Sequence, residues 1–135
     1  ILDDKLRALF RQWGRKYEPA KVRFYCDASG SARRTSAARS DVQILRSFGW
    51  RVHHTPKNPA IRDRVASVNR ALARDAVKID PEGAPHVVEC VQQQGYDAAG
   101  APEKNGLDHG ADALGYMVAN LLPLTGGTFR DYKYH

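Results

Sequence analysis

The chain has 135 residues, enough for one hydrophobic core and too few for two. Its composition, 42% hydrophobic and 27% charged, excludes wholesale disorder, and no apolar run is long enough to span a membrane. The net charge of +6 favours a polyanionic partner such as nucleic acid, although a solvated basic surface would account for it equally well. No secretion leader is recognisable, and Cys26 and Cys90 lack metal-ligand spacing, so buried thiols in a reducing cytoplasm are expected.

The first half of the chain alternates helical and strand patterns. Apolar residues at three- and four-residue spacing predict an amphipathic helix over 5–17, which Pro19 closes. Strict alternation predicts a strand over 22–27. A second helix is expected over about 36–48, followed by a short strand over 51–54.

The second half repeats this alternation. A third helix is predicted from Ile61 to Leu72, where an apolar stripe is clear, followed by a short strand over 77–80. A helix over about 84–94, a polar loop over 95–106 and a last helix over about 108–122 complete the prediction. Strands separated by helices imply parallel pairing through right-handed crossovers, in one α/β domain.

The first motif that points to chemistry is Asp27, at the carboxyl end of the first predicted strand and ahead of a Ser-Gly turn. Ligands of open α/β sheets bind where parallel strands end, so an acid there is well placed for function. Aspartate also caps turns of this kind. Taken alone, Asp27 is slightly better explained by the turn.

The second motif opens the last helix with three possible metal ligands, Asp108, His109 and Asp112. His109 and Asp112 are three residues apart and project from the same side of the helix. Asp108 stands where an N-cap belongs, and capping is its expected role. An Asp inside a helix is unfavourable, and so are Gly110 and Gly115, which suggests close approach to another group.

Two acids from separate elements and a basic surface suit hydrolysis of phosphodiesters assisted by Mg²⁺ or Mn²⁺, which prefer carboxylate oxygens. A pair of such ions roughly 3.5–4 Å apart activates the attacking water and stabilises the leaving oxygen. That arrangement usually needs at least three carboxylates, and the sequence offers two good ones, Asp27 and Asp112.

The order of motifs resembles the large terminase subunit of tailed bacteriophages, over about residues 20–120. The resemblance implies a ribonuclease H-like nuclease domain over 1–135, with a central mixed sheet flanked by helices and its opening β-hairpin strands missing. It also implies an endonuclease that cuts concatemeric viral DNA during packaging. The motifs are, in chain order, YCDASG from Tyr25, FGW from Phe48, NPAIRDRV from Asn58 with Val68-Asn69, and GLDHGADALGY from Gly106.

Residue by residue, the resemblance identifies Asp27 with the family's second metal-binding acid and Asp112 with the acid on its last helix. His109 matches a histidine beside the metals, which would be two Mg²⁺ or Mn²⁺ ions. The resemblance further implies the host-cell cytoplasm, with no membrane, and double-stranded DNA, the terminase ATPase domain, the small terminase subunit and the portal as partners. Nucleic-acid contacts are expected from Arg33, Arg34 and Lys104, although a solvated loop lysine is the more common explanation of Lys104.

The chain departs from the family in two respects. The family's first acid belongs to a strand upstream of the first helix, and Asp3 and Asp4 are better explained as first-turn acids of that helix. The phosphate-binding loop of the ATPase motor is absent from these residues. A non-catalytic DNA-binding or assembly module is therefore the alternative, while the Asp-His-x-x-Asp-Ala-Leu-x-Tyr ending argues against a resolvase or transposase relative.

Overall fold

The computed structural model describes residues 1–31 and 39–124. The chain divides into two compact units, Ile1–Pro56 and Lys57–His135. In the described ranges the structure is mixed α/β, with five α-helices and a two-stranded parallel sheet. None of these helices has both the length and the apolar character required to cross a membrane.

The first unit contains two helices and both strands of the sheet. Strand β1 pairs with β2 in parallel, with Phe24 opposite Val52, so the predicted parallel pairing is confirmed. Both strands are shorter than predicted. The elements are α1 (Leu2–Gln12), β1 (Arg23–Tyr25), α2 (Asp41–Ser47) and β2 (Arg51–His53).

The ends of α1 and α2 follow from local chemistry. Helix α1 ends earlier than predicted because Gly14 adopts a left-handed φ of 63°, a conformation that closes helices. Helix α2 begins after Ser40, whose hydroxyl accepts from the Gln43 backbone while the Gln43 side chain accepts from the Ser40 backbone, a reciprocal capping box. The predicted start of this helix at 36 lies outside the described residues.

Among the described residues of the first unit, the hydrophobic side chains of Val42 and Trp50 are buried. The Trp50 indole Nε1 donates to the Tyr17 hydroxyl over 2.7 Å, and that hydroxyl donates to Asp3 Oδ1 over 2.5 Å. This chain of hydrogen bonds ties the first turn of α1 to the start of β2 and satisfies a buried N–H.

The second unit is helical in its described part. Its helices are α3 (Ile61–Ala73), α4 (Pro85–Gln93) and α5 (Asp108–Leu121), close to the three predicted positions. Where α3 packs on α5, Val68, Ala71, Leu114 and Val118 form a buried cluster. The second unit is therefore organised around the contact between these two helices.

The strand predicted over 77–80 is wrong. Val77 and Ile79 do turn apolar side chains to the helical core, which is what produced the alternation. The segment is irregular, however, because Asp80 starts a turn in which its Oδ1 accepts from Glu82 N at 3.0 Å and its carbonyl from Ala84 N at 2.8 Å. In the described ranges β1 and β2 have no third partner strand, and the ribonuclease H-like fold stays a prediction.

Candidate functional site

The glycines of α5 mark its closest contacts with neighbouring helices. A Cβ atom built on Gly110 would lie 2.6 Å from the Sγ of Cys90 on α4, and Cys90 is completely buried. A Cβ on Gly115 would lie 3.5 Å from the Cβ of Arg64 on α3. The close approach expected from these glycines is thus helix packing, which explains them without reference to a ligand.

Arg64 is the central residue of this contact. Its side chain is 6% exposed, and its Nη1 lies 3.1 Å from Oδ1 of Asp112, whose side chain is 30% exposed. The guanidinium carbon lies 4.3 Å from the centre of the Tyr116 ring, within the range of a cation–π contact. The acid singled out from the sequence is therefore paired with a buried cation on the neighbouring helix.

The hydrogen bonding of Arg64 is incomplete. Its Nε and Nη1 are buried and have no hydrogen-bond partner among the described residues. The contact with Asp112 is an ion pair by distance, but it lacks the alignment of a hydrogen bond. A guanidinium carries five N–H donors, and buried donors left unpaired are uncommon because they forfeit their hydration.

An open cleft in the second unit has Arg64 and Asp112 on its wall. Its cavity volume is about 60 Å³, room for several water-sized atoms. A polar atom of another residue in its lining, Oε1 of Gln94, is also buried without a partner among the described residues. The cleft is lined by Arg64, Val65, Val68, Asn69, Val91, Gln94, Tyr96, Pro102, Ala111, Asp112 and Gly115.

Asp108 does not cap α5, so that prediction is wrong. The N-cap is Leu107, and the Asp108 carboxylate turns back to accept from Lys104 Nζ and from the Gly106 backbone N–H, both at 3.1 Å. Lys104, and then the Gly106 N–H, lower the pKa of Asp108, while Asp108 raises the pKa of Lys104. The carboxylate therefore fastens the preceding loop to the helix.

The remaining predicted site residues are spread over both units. His109 is exposed on α5, and Lys104 is 72% exposed although paired with Asp108. Asp27 follows β1 and accepts from Ser29 N at 2.8 Å, so its turn role is confirmed. Because Asp27 and Asp112 belong to different units, their convergence stays a prediction; the predicted DNA contacts Arg33 and Arg34 lie outside the described residues.

The fit of the described residues to a divalent cation is partial. Asp112 is a suitable ligand, because it offers hard carboxylate oxygens and is partly exposed. No three His, Cys, Asp or Glu side chains within residues 1–31 and 39–124 are grouped closely enough to hold an ion. A single unit thus supplies one candidate ligand rather than a complete site.

Sequence reasoning missed the role of Arg64, which it treated as one of several basic residues. The predicted stripe on α3 began at Ile61, which is 42% exposed. The buried positions are instead Arg64, Ser67, Val68 and Ala71. The signal was the small residues at 67 and 71, which mark the side on which another helix comes close.

No family model matches the chain, and neither a curated protein nor a solved structure shows a significant match to it. The likeness to large terminase subunits therefore depends on the quoted motifs alone.

Proposed function

We propose that this chain is part of a divalent-metal-dependent DNA endonuclease of the terminase large-subunit type, which cuts concatemeric phage DNA. The observation that carries the proposal is the position of Asp112. This acid lies inside a helix, is partly exposed on the wall of a cleft and has a buried arginine beside it. Helix-interior aspartate is unfavourable unless another interaction compensates for it. The order of the motifs indicates that this interaction is the binding of a divalent metal ion.

In this proposal Asp112 is one ligand of the ion, and Mg²⁺ or Mn²⁺, when bound, supplies an activated water for attack on phosphorus. Arg64 balances the charge of the carboxylate, with its Nη1 at 3.1 Å from Oδ1. His109, exposed on the same helix, has a supporting role beside the metal. Asp27 and a further acid would complete the ligand set, since one carboxylate does not hold two ions.

The alternative is a non-catalytic DNA-binding or assembly module, and one specific observation favours it. Asp112 already has a cationic partner at 3.1 Å, and a salt bridge between packed helices is a sufficient structural role for both residues. On this alternative the basic surface would bind double-stranded DNA, or the acid and arginine would merely hold α3 to α5. The ATPase domain, small terminase subunit and portal are proposed partners on either view.

Plasmid cleavage distinguishes the two functions. The assay uses this chain and a longer one that adds the family's opening strands with their acid, each with Mn²⁺, Mg²⁺ or a chelator. We expect the longer chain to nick and cut with either metal and to stop with the chelator, and the shorter chain to cut poorly.

Asp112→Asn tests the proposed role of Asp112 as a metal ligand in the same plasmid assay. It should abolish cutting because the amide keeps the shape of the carboxylate but loses the charge that a hard cation requires. Asp63→Asn, which changes an exposed acid on α3, is the matched control and should cut normally. A longer chain that binds DNA but is inert with both metals would establish the binding module instead.

A further inference from the structure

Two nitrogen atoms of Arg64 are, like Oε1 of Gln94, buried polar groups of the cleft without a hydrogen-bond partner among the described residues. The guanidinium is almost completely buried, yet Nε and Nη1 have no hydrogen-bond partner among the described residues. The apolar contact between α3 and α5 is formed by Val68 and Ala71 with Leu114 and Val118. That contact does not account for the unpaired donors of Arg64.

The guanidinium is also held in a defined orientation. The Tyr116 ring lies under it at 4.3 Å, and Gly115 accommodates its aliphatic stem, whose Cβ would be 3.5 Å from an added methyl group. A guanidinium fixed in this way offers an oxyanion two parallel N–H···O bonds along either edge that Nη2 shares, with Nε on one side and with Nη1 on the other. Less entropy is lost on binding than with a free side chain.

We propose that Arg64 is the phosphate-binding group of this cleft. The open cleft has room for a tetrahedral oxyanion, because its volume of about 60 Å³ holds roughly four or five water-sized atoms. The inference depends on the proposed function only in naming DNA as the source of the phosphate. Free phosphate offers the same chemistry, and the two sources are separable by experiment.

Asp112 is the competitor of the phosphate for the same guanidinium. Its Oδ1 lies 3.1 Å from Nη1 and carries the charge that an incoming oxyanion would carry. Because the side chain is partly exposed, it can rotate toward solvent and uncover the donors. Phosphate binding should therefore be weak in the parent chain and stronger when the charge of Asp112 is removed.

The first experiment titrates the full 135-residue chain with inorganic phosphate at constant ionic strength and follows the Arg64 Nε–H signal by NMR. We expect a saturable shift that chloride does not produce. Variants at position 64 lack this signal and are followed by the backbone amide shifts of the residues that line the cleft, where Arg64→Met should abolish saturable binding. Arg62→Met removes the same charge from an exposed position of the same helix and should change the affinity by less than about twofold, since exposed charges are well screened.

Two further variants keep this result decisive. If Arg64→Met fails to fold, Arg64→Lys keeps the charge without the fork and should bind at least about tenfold more weakly. Asp112→Asn should bind phosphate about fivefold to tenfold more tightly, as expected for removal of one like charge at short range. Equal losses in Arg62→Met and Arg64→Met, or a parent Nε–H signal that phosphate leaves unmoved, would overturn the proposal.

A duplex DNA titration separates the inference from the proposed function. If DNA shifts the same Nε–H signal and displaces phosphate, both are supported. If phosphate binds, DNA neither shifts the signal nor competes, and the longer chain does not cut DNA, the cleft takes free phosphate and the endonuclease proposal fails alone. If the longer chain binds and cuts DNA while Arg64 responds to neither ligand, the phosphate site fails and the endonuclease proposal stands.

Discussion

Gly110 on α5 lies directly against Cys90 on α4, so closely that a Cβ atom at Gly110 would come within 2.6 Å of the cysteine Sγ and 3.1 Å of its Cβ. Cys90 has no exposed surface, and close-packed interiors accommodate extra atoms poorly. This contact, rather than a ligand, accounts for a helix-breaking residue at the start of α5. It also makes the two glycines of the helix experimentally distinguishable.

Gly110→Ala should destabilise the chain by about 1–3 kcal/mol, because the added methyl group overpacks the interface by more than its helix propensity returns. Gly115→Ala should be neutral or stabilising by up to about 1 kcal/mol, since its methyl group would make an ordinary contact with Arg64. Urea unfolding measures both. In the Cys90→Ala background the penalty at Gly110 should shrink, and an unchanged penalty would show that Cys90 is not the obstruction.

The decrease in folding stability at low pH should depend on Asp108. Lys104 lowers the pKa of this carboxyl below its ordinary value of 3.8. The carboxylate therefore makes its full contribution to the free energy of unfolding above pH 3.8. The contribution is lost as the pH falls through the lower, folded-state pKa. Asp108→Asn should therefore reduce the thermal midpoint at pH 7 by a few degrees, and the difference should shrink as the pH falls below 3.8 and the parent converges on the variant. Lys104→Met should converge in the same way; parallel curves at all pH values would contradict the assignment.

The two thiols should react at very different rates. Burial, together with the charge of Asp41, raises the pKa of the Cys26 thiol above its ordinary value of 9.0, so little of the nucleophilic thiolate is present at pH 8. We expect slow modification of Cys26 by a disulfide reagent, accelerating as the pH rises above 9. Cys90 should react only on unfolding. Asp41→Asn should speed the reaction of Cys26 at pH 8, and an inflection of the parent rate below pH 8.5 would refute this prediction.

How much of this structure could be read from the sequence depended on whether the signal was local. Helices α3, α4 and α5 were placed to within a few residues, and the pairing of β1 with β2 followed from the helix between them. The segment over 77–80 failed because alternation reports which side chains are buried, as Val77 and Ile79 are in part, and not whether a partner strand exists.

At the candidate site the same distinction applies. Asp112 was recognisable because helix-interior aspartate is locally unfavourable. Its partner Arg64 was not, because 48 positions separate them along the chain and only the packing of α3 on α5 brings them together. The role of Asp108 was mistaken for a similar reason: the sequence places it at the helix start, but the competition between capping and Lys104 is decided by the loop geometry.

The convergence of Asp27 with Asp112 is the prediction on which the two-metal proposal depends most directly. Mn²⁺ is paramagnetic and broadens the NMR signals of amides close to it. If both acids share the ions, a Mn²⁺ titration of the ¹⁵N-labelled chain should broaden the amides of 27–30 and of 108–112 together, at the same metal concentration. Mg²⁺ should compete and restore both sets of signals.

Asp27→Asn and Asp112→Asn should each weaken the broadening of both segments by at least about tenfold in apparent affinity, since metal sites lose at least that much when even an outer partner is removed. Asp63→Asn, an exposed acid of α3, should behave as the parent does. If the broadening of one segment is unchanged when the acid of the other segment is replaced, the two carboxylates act separately. The two-metal endonuclease would then have to be abandoned in favour of the binding module.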